Sequence, residues 1–185
     1  MRSKLKAAVI SLQTAVLAFA GALAFCAPAW SQLTDEDCVP LNWASVEARL
    51  EGGSWKLVDG NSLLHDFGQK DVDAKQAEQI IKRYQINRQC FVGRPNAVFT
   101  YWLTDGRSPT GQFPNEDCVP FNPDNVQASN ASGQWLMVDG AHAMFAFSNE
   151  NDANKAVQIV RHYGFNRACF IGRLQPPASM HYLRN

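Results

Sequence analysis

From position 36 onward the chain alternates short apolar runs with turn-forming clusters. In the first half, Val46 to Leu50, Trp55 to Val58 and Leu63 to Phe67 read as three short strands, divided by Gly52-Gly53-Ser54 and by Asp59-Gly60. Asp-Gly marks a tight turn because Gly takes positive φ freely and Asp bonds its own backbone. The period then changes from two to 3.6. Ala74, Ala77, Ile80, Ile81 and Tyr84 share one face, while Lys75, Glu78, Gln79, Lys82 and Arg83 fall elsewhere, which predicts an amphipathic helix. Cys90 to Val92 and Phe99 to Leu103 read as two final strands. The same order returns later, with a strand over Ala143 to Phe147 and a helix burying Ala153, Ala156, Ile159, Val160 and Tyr163. Gly164 suits the left-handed residue that ends a helix, a place that Gln85 takes less comfortably in the first half.

The recurrence extends to residue identity. Glu36-Asp37-Cys38-Val39-Pro40 returns as Glu116-Asp117-Cys118-Val119-Pro120, and Trp55-Lys56-Leu57-Val58-Asp59-Gly60 as Trp135-Leu136-Met137-Val138-Asp139-Gly140. Asn87-Arg88-Gln89-Cys90-Phe91-Val92-Gly93-Arg94 matches Asn166-Arg167-Ala168-Cys169-Phe170-Ile171-Gly172-Arg173 after a one-residue deletion. So many ordered matches that include Trp, Cys and Gly mark an internal duplication. Repeat units span 36–103 and 116–183, joined by a linker over 104–115 rich in turn formers. The predicted fold class is α+β: two tandem copies of a small β-β-β-α-β-β unit, each an antiparallel sheet with one helix, in two lobes related by a pseudo-twofold.

Residues before the repeats read as an address. Arg2, Lys4 and Lys6 precede an uncharged run from Ala7 to Phe25, and Ala27-Pro28-Ala29 offers small residues for cleavage, so 1–29 is expected to be a secretory signal peptide. An uncharged run of this length is also long enough for a membrane anchor, but the small-residue exit favours cleavage and leaves no stable span. Leu23-Ala24-Phe25-Cys26 has the form of a lipoprotein box, with a bulky Phe where a small residue is usual; lipid anchoring at Cys26 is the minor alternative. The full chain of 185 residues has 17 basic and 17 acidic side chains; losing Arg2, Lys4 and Lys6 leaves the mature protein three charges negative. That balance excludes a nucleic-acid binder, which needs clustered excess Lys and Arg.

Removing Cys26 leaves Cys38, Cys90, Cys118 and Cys169, an even number in an exported protein, periplasmic or secreted. Three pairings are possible. Cys38–Cys90 with Cys118–Cys169 is preferred because a duplicated unit should carry its whole bridge, although cross-copy pairings also respect the symmetry. Isolated cysteines without C-x-x-C spacing give little weight to a metal site. The histidines read as scattered: His65 aligns with Phe145, His142 with Ser62, His162 with Arg83 and His181 with Tyr101. No nucleophile elbow, phosphate loop or H-E-x-x-H helix appears, and no cofactor is expected.

The candidate binding residues are Trp43, Arg94 and Arg173. Trp55 and Trp135 recur and read as core, whereas Trp43 and Trp102 align with Pro123 and Tyr182, which makes Trp43 the candidate for an exposed aromatic. Arg94 and Arg173 follow the cysteine strands and are expected to grip Asp37 and Asp117 or else face a ligand. Asn130-Ala131-Ser132 is a glycosylation sequon, relevant in a eukaryotic secretory host.

The string Asp-Cys-Val-Pro-Phe-Asn-Pro at 117–123, the Trp-x-x-Val-Asp-Gly cores and the Asn-Arg-x-Cys-Phe-Val/Ile-Gly-Arg ends resemble a short, uncharacterised repeat module of exported bacterial proteins. The resemblance covers nearly the whole mature chain and implies export and modular character. Copy one departs from it at Leu41 and Trp43, where copy two has Phe121 and Pro123. The expected function is a non-catalytic binding module for a glycan, an envelope polymer or an extracellular protein, since two weak sites on one chain raise effective affinity. A secreted structural or inhibitory protein is the alternative, and a hydrolase using loop carboxylates is a third.

Overall fold

Every predicted strand and both predicted helices form, and each copy opens with one strand more than the pattern predicts. The structure, a computed structural model, describes Leu33, residues 35–172 and residues 180–185. The expected signal peptide with Cys26, and also Arg173, lie outside the described residues. The first copy runs β1 (Asp37–Pro40), β2 (Val46–Glu51), β3 (Ser54–Asp59), β4 (Ser62–Gly68), α1 (Asp71–Tyr84), β5 (Arg88–Val92) and β6 (Phe99–Leu103). The second runs β7 (Asp117–Pro120), β8 (Val126–Ala131), β9 (Gln134–Asp139), β10 (His142–Phe147), α2 (Glu150–Tyr163), β11 (Arg167–Ile171) and β12 (Met180–Arg184).

The strands form four antiparallel three-stranded sheets, two per copy. One is a meander, β2-β3-β4 or β8-β9-β10. The other is β1-β5-β6 or β7-β11-β12. The added strands β1 and β7 are four residues long and end in Pro, so they carry no alternating signal and sit only at sheet edges, where a missing N–H is tolerated. They place Cys38 directly opposite Cys90 and Cys118 opposite Cys169. Both bridges of the preferred pairing are present across these ladders.

The expected helix faces are the observed ones. Ala74, Ala77, Ile80, Ile81 and Tyr84 are buried on α1, and the twin positions plus Val157 on α2. Both helices end on a left-handed residue, Gln85 at φ 51° and Gly164 at φ 62°. Each helix packs on its own meander. Glu78 of α1 accepts the Ala48 N–H at 2.9 Å, and Arg161 of α2 donates to the Val126 carbonyl at 2.7 Å.

The other face of each helix is covered by the opposite copy. Around α2 lie Cys90, Val92, Phe99, Tyr101 and Leu103 from the first copy's disulfide-braced sheet. Around α1 lie Cys169, Ile171, Met180 and Tyr182 from the second copy's. The chains cross where Leu41 N–H bonds the Asn87 carbonyl and Phe121 N–H bonds the Asn166 carbonyl, both at 2.9 Å. On one side of that crossing Leu41 and Ile86 join the α1 core; on the other, Cys38 and Cys90 join the α2 core. The two copies expected from the sequence are therefore interlocked in one compact unit, each helix covered by the other copy's sheet. Periodicity shows which residues are buried but not which copy buries them.

Ladder register also corrects the alignment of the last strands. Arg88 faces Leu103 and Arg167 faces Arg184, so Tyr182 corresponds to Tyr101, Leu183 to Trp102 and His181 to Thr100. The earlier pairing of His181 with Tyr101 and of Trp102 with Tyr182 fails because the connection from Gly172 to Met180 is two residues longer than that from Gly93 to Phe99. The 104–115 linker is built into the fold. Ser108 is buried and bonds Asn185, the Pro109 carbonyl accepts the Asn185 N–H, and Phe113 packs on the α1 core.

Exchange predicts where damage is felt. Val92→Ala should cost about 1 to 3 kcal/mol, as for other buried truncations, and should raise amide hydrogen exchange in α2 more than in α1. Faster exchange confined to α1 would contradict the topology.

Candidate functional site

The repeated Glu-Asp-Cys segment places one acidic side chain at each junction between the copies. Glu36 lies just before β1. Its Oε1 accepts the Tyr101 hydroxyl at 2.6 Å and the Tyr163 hydroxyl at 2.8 Å, the latter also reaching Oε2 at 3.0 Å. Tyr101 belongs to the first copy and Tyr163 ends the second copy's helix. Glu116 repeats the arrangement: its Oε1 accepts Tyr182 at 2.5 Å and Tyr84, the last residue of α1, at 2.7 Å. The tyrosine rings stand 5.9 Å apart in the first cluster and 6.3 Å in the second. Each carboxylate thus clasps its own copy's last strand to the other copy's helix end.

The two clasps differ at the second oxygen. Glu116 Oε2 accepts Arg184 Nη2 at 2.7 Å and the Phe113 N–H at 3.3 Å. Both side chains of that ion pair are almost fully buried, 7% and 5% exposed. Arg184 is further held by the Gly111 and Asn185 carbonyls at 2.8 and 2.9 Å. The position of Arg184 is taken in the first copy by buried Leu103. Burial pushes all four tyrosine hydroxyls up, and the carboxylate that each one donates to pushes them further. For Glu116, burial raises the carboxyl, but the bonds from Tyr182, Tyr84 and Phe113 and the Arg184 charge together hold it below its ordinary value. The Glu116 carboxylate lies within 4.8 Å of the Cys118 and Cys169 sulfurs, which are spent in the bridge.

Grooves flank both clasps. One of about 490 Å³ lies between the start of α1 and the second copy's braced sheet, lined among others by Gln69, Gln76, Asn115, Asp117 and Phe170. A second, of about 350 Å³, lies along α2, lined by Asp35, Glu36, Asn151, Asn154, Lys155 and Gln158 among others. A further pocket adjoins each carboxylate. Glu36, Cys38 and Arg88 line one of about 500 Å³; Glu116, Cys118, Arg167 and Arg184 line its counterpart of about 550 Å³.

The residues singled out in the sequence fall elsewhere. Arg94 grips Asp37 with both Nε and Nη2, at 2.6 and 2.5 Å, and lies over the Phe91 ring. Trp43 is half-buried against the α1 core rather than projecting from the surface, and Trp102 is fully buried. Trp55 and Trp135 pack on the cores while staying partly exposed, Trp55 beneath the Lys75 ammonium. Asp59 and Asp139 do more than shape hairpins: each accepts the N–H of the preceding copy-matched asparagine, Asn42 at 2.8 Å and Asn122 at 3.0 Å. Sequence reasoning passed over Glu36, Glu116 and the four tyrosines. All six recur, and a Glu and a helix-end Tyr kept in both copies were the available signal.

Two histidines are half-buried rather than freely exposed. His181, on β12 where that strand meets β6, packs 4.9 Å from Phe145 and bonds the Thr100 backbone. The Nε2 atoms of His181 and His65 are both buried without a hydrogen-bond partner. Burial pulls His65 down, and brings His181 to about 4.

No family model, curated protein or solved structure matches this chain.

Two outcomes follow from the clasps and the histidines. Glu116→Gln should cost about 3 to 5 kcal/mol because it strands a buried guanidinium, whereas Glu36→Gln should cost about 1 to 2 kcal/mol. Equal losses in urea unfolding would contradict the difference between the clasps. The histidines set a pH window. His181 is depressed in the folded state, so the unfolded chain takes up its proton first as pH falls below about 6.5, the ordinary histidine value. Stability should fall as pH drops toward 4, by at most about 3 kcal/mol from this residue. Glu116, depressed when folded, adds loss at lower pH still. In thermal melts, His181→Leu should flatten most of the slope between pH 6.5 and 4.5, and His65→Phe, the Phe145 equivalent, part of the rest; an unchanged slope in both variants would refute the assignment.

Proposed function

We propose that this protein is an exported, non-catalytic binding module, and that its ligand is a hydroxyl-rich polymer such as a glycan or other envelope polymer. One observation carries the reading: in each copy a groove lies between the helix and the other copy's Glu-Asp-Cys segment, at the start of α1 in one and further along α2 in the other. Gln69, Gln76 and Asn115 line one, and Asn151, Asn154 and Gln158 the other. Carboxamides suit sugars because each offers donors and an acceptor to neighbouring hydroxyls. Two such grooves on one rigid body let a polymer bind both at once, which multiplies weak affinities. The two disulfides fit an oxidising compartment, which supports export by the basic and apolar leader. The same bridges, with sheets clamped over both helices, favour the second reading, a protease-resistant structural or inhibitory protein acting on an extracellular partner.

Isothermal titration against a panel of soluble polysaccharides and envelope polymers separates these. On the first reading one class binds. Asn151→Ala with Asn154→Ala, or Gln69→Ala with Gln76→Ala, should weaken a long polymer by about 10²-fold or more through loss of the second contact. A short oligomer should be affected much less by losing one groove. No binding across the panel would remove the glycan reading and leave the inhibitory one.

A further inference from the structure

The two clasps are the same device built twice, and only one is electrically complete within the described residues. In the second copy, Glu116 Oε2 takes a guanidinium N–H from Arg184. In the first, Glu36 Oε2 takes only the longer arm of the Tyr163 hydroxyl bond, and the side chain standing where Arg184 would stand is Leu103, fully buried in the α2 core. Glu36 also faces the surface, lining the pocket of about 500 Å³ whose counterpart holds Arg184 itself. We infer that this pocket is a recognition site for a guanidinium, the arginine side chain of a peptide or protein partner, which docks on Glu36 as Arg184 docks on Glu116.

The chemistry of the second copy supplies the details. A carboxylate whose Oε1 is saturated by two tyrosine hydroxyls keeps acceptor capacity at Oε2, and a planar fork of N–H donors matches it. Arg88 also lines the pocket and would repel a cation, yet its counterpart Arg167 shares the matching pocket with Arg184, so the site tolerates two guanidiniums. Leu33, Val39 and Pro40 form an apolar wall suited to the methylene stem of an arginine. Lysine fits less well, since a point charge does not reproduce the fork. This site shares Leu33, Asp35 and Glu36 with the groove along α2 but is built on β1 and Arg88, and it does not depend on the polymer-binding reading.

The test is a titration of the isotope-labelled mature protein with N-acetylarginine amide, followed by amide chemical shifts, with N-acetylcitrulline amide as the uncharged isostere. Saturable shifts centred on Glu36, Arg88 and Val39, at least tenfold weaker for citrulline and absent in Glu36→Gln, are expected. Equal response to the two amides in the wild-type protein, shifts that persist in Glu36→Gln, or no saturable shift at all would overturn the proposal. The isostere comparison needs no variant, so a folding defect in Glu36→Gln leaves the proposal open to refutation. Failure of polysaccharide binding in the separate panel would leave this result untouched.

Discussion

The structure depends on each helix being covered on its second face by the other copy's disulfide-braced sheet. An amphipathic helix of 14 residues with a three-stranded meander on one side still exposes apolar surface, and a unit of under 70 residues has few strands left to cover it. Exchanging the remaining strands between copies solves this for both helices at once. It also makes neither copy complete alone: Val92, Phe99 and Tyr101 have their packing partners on α2, and Ile171, Met180 and Tyr182 have theirs on α1. The disulfides act inside the sheets that are exchanged, tying β1 to β5 and β7 to β11, so what crosses between the copies is a stiff element.

The carboxylate clasps fix the register of that exchange. A buried carboxylate is costly unless it is well bonded, and here the bonds come from both copies, so the charge is satisfied only when the two are correctly docked. In the second copy the price is met by a guanidinium from the penultimate residue, itself anchored on the linker through Gly111. That contact turns the linker and the chain's last strand into one side of the site. In the first copy, Leu103 adds apolar burial instead and leaves the carboxylate turned toward solvent. One ancestral device has thereby separated into a structural ion pair and a surface acceptor.

Much of this was legible in the sequence at the level of single elements. The five buried positions of α1, the hairpins at Asp59-Gly60 and Asp139-Gly140, and the bridge partners could be read because periodicity, turn chemistry and duplication each report locally. Strands β1 and β7 were hidden because four residues ending in Pro alternate in nothing. The exchange was hidden for a deeper reason: the stripe Ala74, Ala77, Ile80, Ile81, Tyr84 is the same whichever sheet lies against it. The clasps were missed through alignment. Setting Tyr182 against Trp102, one residue out of register, concealed that Tyr101 and Tyr182 are a repeated pair, and it left His181 looking like a stray surface residue when it sits at the seam between β6 and β12.

Side-chain proximity in solution tests the exchange most directly. Aromatic nuclear Overhauser effects should connect Tyr101 to Tyr163 and Phe165, and Phe99 to Phe145, rings that stand 5.9, 6.2 and 5.1 Å apart across the two copies. Cross-peaks from Tyr101 and Phe99 to Tyr84 and Ile80 of their own copy's helix, in their place, would contradict the exchanged fold and the clasps with it.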